Sequence, residues 1–225
     1  MQSSLEGLWG LSHAHAAILS EHCKPLAARR GEVIVRRGAL LPGVLVLSAG
    51  TVKLSLRSAE GDERVLRIVG PGEAFGEPTA MLGKPCLYDA VALTDARLLN
   101  VPVTGIHALA ARDRRFARFL ILALSARSYM VLTELAAATT QRGAQRLAGY
   151  LESLRKTNGA RSATVQLPVS KTVVAALLGM KKETLSRLLR QFTSEGLIGM
   201  TRREISILDP QRLSDCASSS RAHSA

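Results

Sequence analysis

From Ala108 to about Ala138 the chain has neither proline nor glycine, and apolar residues recur there at helical spacing. Ile121, Leu124, Ser128, Val131 or Leu132, Leu135 and Ala138 step by three or four, the period of one face of an α-helix. The spacing predicts a helix of about 30 residues, ~45 Å long at 1.5 Å per residue. One small barrel cannot cover that length, and an uncovered apolar stripe is a solubility liability. The simplest partner is a second copy, so residues 108–138 are expected to pair as a homodimeric coiled coil. Packing on the chain's own preceding strands is the other solution.

Before this helix, from about residue 26 to 103, the pattern is short and β-like. Glu32-Val-Ile-Val, Val44-Leu-Val-Leu, Thr51-Val-Lys-Leu-Ser-Leu, Val65-Leu-Arg-Ile-Val, Ala90-Val-Ala-Leu and Arg97-Leu-Leu-Asn-Val are separated by glycines. Closely spaced strands with glycine turns indicate an antiparallel sandwich or barrel. Glu60-Gly61-Asp62 reads as a hairpin tip.

After the long helix a break near Gly143 precedes a further helix, and Asn158-Gly159 marks a turn. Val165-Gln-Leu-Pro is a short strand, Ser170 caps a helix that Gly179 ends, and a last helix runs from about 181 until Gly196 stops it. Ile198-Gly-Met and Glu204-Ile-Ser-Ile-Leu then read as two strands with Arg202 and Arg203 at the turn. Helix, glycine turn, helix and hairpin in this order make a winged helix-turn-helix. The stretch 214–225, SDCASSSRAHSA, is expected to be a disordered tail.

The formal charge of +12 points to a polyanionic partner, nucleic acid first and an anionic membrane surface second. Cys23, Cys86 and Cys216 are scattered and in no C-x-x-C pair, so they form neither a disulfide framework nor a zinc or iron–sulfur set. The N-terminal residues lack the basic and long apolar regions of a signal peptide. No stretch reaches ~18 consecutive apolar residues. The expectation is a cytoplasmic chain with no membrane partner.

One oddity sharpens the nucleic-acid reading. Lys181 and Lys182 stand where a helix begins, the end that carries partial positive charge, and each costs about 0.3–1 kcal/mol there at low salt. Phosphates facing that end offset the cost. Glu183, Ser186 and Arg187 lie at i, i+3 and i+4 and share one face. Arg can donate twice to guanine, Glu can accept from cytosine N4, and Ser can serve a base edge or a phosphate. Glu183 with Arg187 is also the spacing of a plain surface ion pair. The opposite face, Leu185, Leu188, Leu189 and Phe192, suits a small core.

At these residues the chain resembles the Crp/Fnr transcription regulators, over about residues 20–213. The pattern E-x-x-S-R of the Fnr branch stands as Glu183-Thr-Leu-Ser186-Arg187, and Pro71-Gly-Glu-Ala-Phe-Gly-Glu77 stands in the cyclic-nucleotide-binding-like part. Arg203–Asp209, REISILD, is most similar to the Dnr-type regulators of denitrification. The resemblance implies an α+β chain: a β-roll sensor domain with a short N-terminal helix over 1–107, a dimerisation helix over 108–138 and a winged helix-turn-helix over 139–213. It further implies TTGAT-like half-sites in an inverted repeat of double-stranded DNA, contacts by Lys181, Lys182, Glu183, Ser186, Arg187 and Arg202, and activation by recruiting RNA polymerase.

The sensor is less legible. The iron–sulfur cluster of Fnr needs several N-terminal cysteines, and Cys23 stands alone there. Cyclic-AMP members follow their G-E loop with an Arg-Ser pair for the phosphate, but no arginine follows Glu77 until Arg97. Lys84 is a poorer match than a guanidinium fork, which argues against cyclic AMP. Haem with nitric oxide signalling is implied by the Dnr resemblance alone, with His13, His15, His22 and His107 as nominal iron ligands and Cys86 as a nominal thiolate. Two other readings stay open: a regulator whose β-roll is purely structural and whose abundance controls it, and a cyclic-nucleotide or haem module whose basic domain docks on a non-DNA partner. No P-loop, Ser-His-Asp set or defensible carboxylate pair supports an enzyme.

Overall fold

The computed structural model describes residues 13–157, 164–201 and 204–218. Contacts divide the chain into a unit ending at Met130 and a unit starting at Val131. The first unit begins with helix α1 (His13–Ser20), followed by β1 (Lys24–Ala28), β2 (Val33–Val35), β3 (Gly43–Ala49), β4 (Val52–Arg57), β5 (Glu63–Val69) and β6 (Ala74–Phe75). Helix α2 (Glu77–Leu82), β7 (Asp89–Ala92), β8 (Ala96–Pro102) and α3 (Val103–Arg112) complete it up to the long helix α4 (Arg114–Thr140). The strands form two antiparallel sheets, in the orders β1-β8-β3-β6 and β2-β7-β4-β5.

The continuous apolar run of β3 follows from burial on both faces. Leu45 and Leu47 join Leu98 of β8, Val52 and Leu54 of β4 and Ala90 of β7 in the core between the sheets. Val44 and Val46 point the other way, with Leu99 and Val101 of β8, into a second core closed by Ala16 and Leu19 of α1, Ile106 and Leu109 of α3, and Phe116 and Leu120 of α4. A two-residue side-chain period places successive residues in different cores. The hairpin expected at Glu60-Gly61-Asp62 is present: the Ser58 N–H donates to Asp62 O (2.9 Å) and Gly61 has φ 89°.

The helix expected over 108–138 is instead broken at Asp113, which has extended backbone, φ −123° and ψ 107°. The Asp113 carboxylate accepts from the N–H groups of Arg115 (2.7 Å) and Phe116 (2.9 Å), and so caps α4 as a fresh start. Those bonds, the Phe116 N–H first, hold its carboxyl below the usual range, helped by His15 Nε2 at 2.8 Å. The first unit covers Phe116 and Leu120 fully and Leu124 partly. Beyond them Ile121, Leu132 and Leu135 are 64%, 61% and 59% exposed. By length and composition α4 could also cross a membrane. A count of consecutive apolar residues overlooked it because Arg118 and Arg127 interrupt the run.

The second unit continues from α4 with α5 (Gly143–Thr157), β9 (Thr164–Gln166), α6 (Lys171–Leu177), α7 (Lys182–Ser194), β10 (Ile198–Thr201), β11 (Glu204–Ile207) and α8 (Pro210–Ser218). The small sheet runs β10-β11-β9. A disordered tail from 214 is corrected for 214–218, which continue α8. Asp209 Oδ1 accepts from the Arg212 N–H (3.0 Å), Pro210 opens the helix and Leu213 is buried, while α8 packs on α5. Residues 219–225 and the turn expected at Asn158-Gly159 lie outside the described residues. Arg146 of α5 donates from Nε to the Leu178 carbonyl (2.9 Å) and also bonds the Gln141 carbonyl.

Two outcomes follow. Asp113→Asn should melt at a lower temperature than the wild type near neutral pH. A carboxyl whose folded pKa is depressed adds stability above its unfolded pKa of ~3.9 and loses it as pH falls through the folded value. The gap between the two proteins should therefore close below about pH 4 in melts followed by circular dichroism. Arg146→Ala should destabilise the second unit by about 1.5–3 kcal/mol, the range for a hydrogen bond with a charged partner, measured by urea unfolding.

Candidate nucleic-acid interface

Local hydrogen bonds set the angle between α6 and α7. Ser170 Oγ accepts from the Val173 N–H (3.4 Å) at the start of α6. At its end the Leu178 N–H donates to Val174 O and the Met180 N–H to Ala175 O, both at 2.9 Å. Gly179 between them takes φ 61°, a left-handed conformation that glycine adopts without a Cβ penalty. Arg146 then satisfies the exposed end of α6 at Leu178 O. The turn is thus held from within and from α5, and α6 packs on α7.

Helix α7 buries Leu185, Leu188, Leu189 and Phe192. At 100° per residue these occupy one side, and Glu183, Ser186 and Arg187 occupy the other. Glu183 and Arg187 are exposed and Ser186 is half-buried. Arg190 is exposed on the same side, seven residues from Glu183. The sequence reading missed it, although i+7 spacing from Glu183 was the available signal.

The unfavourable start of α7 is real. Lys181 is its N-cap, with extended backbone (φ −70°, ψ 151°) and no side-chain cap, and Lys182 follows as the first helical residue. Both are exposed. Glu183 in the first turn partly offsets them against the helix dipole. The plain surface ion pair is not formed: among the described residues no N···O approach within 4.0 Å joins Glu183 to Arg187. Charge is concentrated in this half of the chain, where 19 of the 30 Lys and Arg follow residue 107 against 8 of the 18 acids. Thr201 pairs with Glu204 across β10 and β11. Arg202, expected as a contact, lies outside the described residues.

The β-roll candidates do not converge. Glu77 opens α2 half-buried behind Gly76, and Lys84 is exposed. Between them and the sheet, burial pushes the Tyr88 phenol well up, with Cys86 and Glu77 adding and Gly76 and Arg67 opposing. Tyr88 is half-buried against the core between the sheets, and Asp89 follows it. The guanidinium at this loop, Arg67, is already engaged: Nη1 donates to the Ala74 carbonyl (2.9 Å) and Nη2 to Glu73 Oε1 (2.6 Å), so a cyclic phosphate would have to displace both. For haem, the donor set fits poorly: His15 Nε2 is engaged by Asp113, while His13, His22 and His107 are exposed on separate turns. Burial pushes the Cys23 thiol up to about 11, which leaves it an unreactive thiol donating to Leu19 O. Cys86 is buried. Among the described residues no group of three His, Cys, Asp or Glu could hold a metal ion.

Known proteins carry the same two parts. Residues 25–113 match the family model of a cyclic nucleotide-binding domain, and residues 145–216 that of a Crp-like helix-turn-helix domain. The transcriptional regulator SdrP of Thermus thermophilus is 33% identical over 175 residues, 76% of this chain and 81% of that protein. A solved transcriptional regulator of the Crp/Fnr family from Thermus thermophilus superposes with TM-score 0.69 at 28% identity, covering 87% of this chain and 99% of the other. FixK2 from Bradyrhizobium japonicum superposes with TM-score 0.77 at 22% identity, over 88% and 99%, which supports the fold. With a cyclic nucleotide-binding domain followed by a Crp-like helix-turn-helix, and these relatives over most of its length, the chain belongs to the Crp/Fnr family of DNA-binding transcription regulators.

Proposed function

We propose that this regulator acts as a cytoplasmic homodimer that binds an inverted repeat of TTGAT-like half-sites, one α7 in each major groove. The observation that carries the reading is the exposed, unpaired Glu183 and Arg187 on a helix whose other side is locked into the core. Arg187 would donate to guanine O6 and N7 and Glu183 accept from cytosine N4. Ser186, Lys181, Lys182 and Arg202 would mainly hold phosphates, which position the protein without reading sequence. Arg190 joins the same face. The half-site assignment rests on the E-x-x-S-R pattern of the Fnr branch, and activation through RNA polymerase on the family.

Pairing through α4 supports the two-fold geometry, with half-sites one helical turn, ~34 Å, apart. Ile121, Leu132 and Leu135 are the residues that such pairing would cover. A membrane span is the weaker use of α4, because Arg127 would sit near its middle, at a cost of about 2.5–3.5 kcal/mol. A signal at the β-roll would control DNA binding through α4. Linkage requires that signal to prefer the DNA-competent arrangement, and DNA to tighten the signal in return. The engagement of Arg67 by Glu73 and the Ala74 carbonyl argues against cyclic AMP as that signal, and the histidine placement gives haem no clear ligand.

Fluorescence anisotropy on an inverted-repeat duplex tests the readout. Arg187→Ala should lose about 1–3 kcal/mol of discrimination at one guanine and keep weak general binding; unchanged preference would refute base reading by this helix. Removing Lys181 and Lys182 together should flatten the log–log salt slope by ~0.9 for each phosphate left without its lysine. Sedimentation velocity tests the pairing: Leu132→Glu with Leu135→Glu should sediment as a monomer, and a persisting dimer would place the interface elsewhere.

A further inference from the structure

We infer that the groove between α1 and α3 is the effector site of the β-roll and takes a small anionic amphiphile, an apolar body of roughly ten carbons bearing one carboxylate or phosphate. The effector role rests on the proposed reading that the β-roll senses a signal; the binding itself does not.

The groove is open to solvent on one side and has a volume of about 580 Å³, within the range of small-molecule sites. Ile18 and Leu19 of α1 face Ala108 and Leu109 of α3 across it, and His22 and Arg112 stand on its lining. It is open because α3 presents small side chains to it. Gly105 is not imposed by the backbone: a Cβ there would meet Leu19 Cδ2 at 3.6 Å, an ordinary contact. Ile18 is left 52% exposed on the wall, an apolar surface that an occupant would cover.

Charge selects the head group. Arg112, Arg114 and Arg115 are exposed, and none makes an ion pair among the described residues. The acid among them, Asp113, is committed to His15 Nε2 and to the N–H groups of Arg115 and Phe116. Of these arginines Arg112 lines the groove, and with Asp113 committed elsewhere a carboxylate or phosphate meets Arg112 by a charge-assisted hydrogen bond.

The placement also supplies a route to α4. His15 and Asp113 both line the groove. The His15 ring packs edge-on against Phe116, with centroids 5.8 Å apart, and Phe116 anchors α4 in the core. An occupant thus touches the pair that starts the long helix. Its differential fit to two arrangements of that pair is what linkage needs.

Calorimetry with the full chain tests the site. Decanoate and decyl phosphate should each saturate one site per subunit, while decyltrimethylammonium and decanol should bind at least tenfold more weakly. Octanoate, shorter by two methylenes, should be weaker than decanoate by on the order of tenfold. Arg112→Glu should weaken decanoate about tenfold, and Ala108→Phe, which fills the groove from an exposed position, should abolish binding. If Ala108→Phe lowers the melting temperature, Thr104→Phe on the same wall replaces it. Decanoate bound equally by the filled variant, or no better than its cationic counterpart, would overturn the site. An operator affinity shifted by saturating decanoate in the wild type but not in Ala108→Phe supports the effector role. An unshifted affinity overturns that role while leaving the binding result standing.

Discussion

The first unit buries Phe116 and Leu120 of α4, and beyond them the helix meets water with its apolar side chains. Between Phe119 and Leu135, eight large apolar residues are from 47% to 74% exposed. Full burial of one such side chain is worth about 1.5–3 kcal/mol, so covering what is exposed of all eight on two subunits is a gain of the size of the 4–15 kcal/mol cost of association. The exposed face that the proposed pairing would cover is therefore a property of the subunit itself. Its distribution adds a condition. Ile121, Leu132 and Leu135 lie within about 60° of one another around the helix at 100° per residue, but Leu122 and Tyr129 lie some 100° further round. A two-stranded seam covers a and d positions only. A dimer that satisfies this helix buries a wider band than the seam.

Charge is distributed with equal consequence. The β-roll half has nearly balanced charge, and the excess of Lys and Arg lies in the half that carries α7. General attraction to phosphates would supply affinity for any duplex, and in the proposed reading selectivity comes from Glu183, Ser186 and Arg187. Glu183 is informative here. It repels phosphates and, unpaired, gains nothing from Arg187. A helix selected for affinity alone would not carry it on the reading face, whereas a helix that discriminates uses a repulsive element as well as attractive ones.

Much of this was legible in the sequence. The wing strands, the Ser170 cap, the Gly179 turn and the four-residue apolar face of α7 are short-range signals, each set by neighbours within a few positions. The same locality explains the misses. Asp113 breaks a proline- and glycine-free run through two backbone hydrogen bonds and His15, 98 residues away. Strand β1 begins Lys24-Pro25 and is largely exposed, and only its edge position in the sheet makes the proline tolerable. Helix α8 hides in a serine-rich tail because one buried leucine and one aspartate cap hold it. Arg146 supports the helix-turn-helix through a carbonyl 32 residues on, and no periodicity reports such a bond.

In the proposed regulation Asp113 has a part beside its part in folding. Helix α4 belongs to both units, with the division falling after Met130, so any change in how it begins is a change in an element common to both. Regulatory coupling between two sites is typically 1–3 kcal/mol. Energies of that size need no large rearrangement, since making or breaking a few polar interactions is enough. The start of α4 offers such interactions, among them His15 Nε2 and the two N–H groups bound to one carboxylate. A conformational change that alters how this carboxylate is shared would carry its effect along the helix whose exposed apolar face the proposed dimer covers.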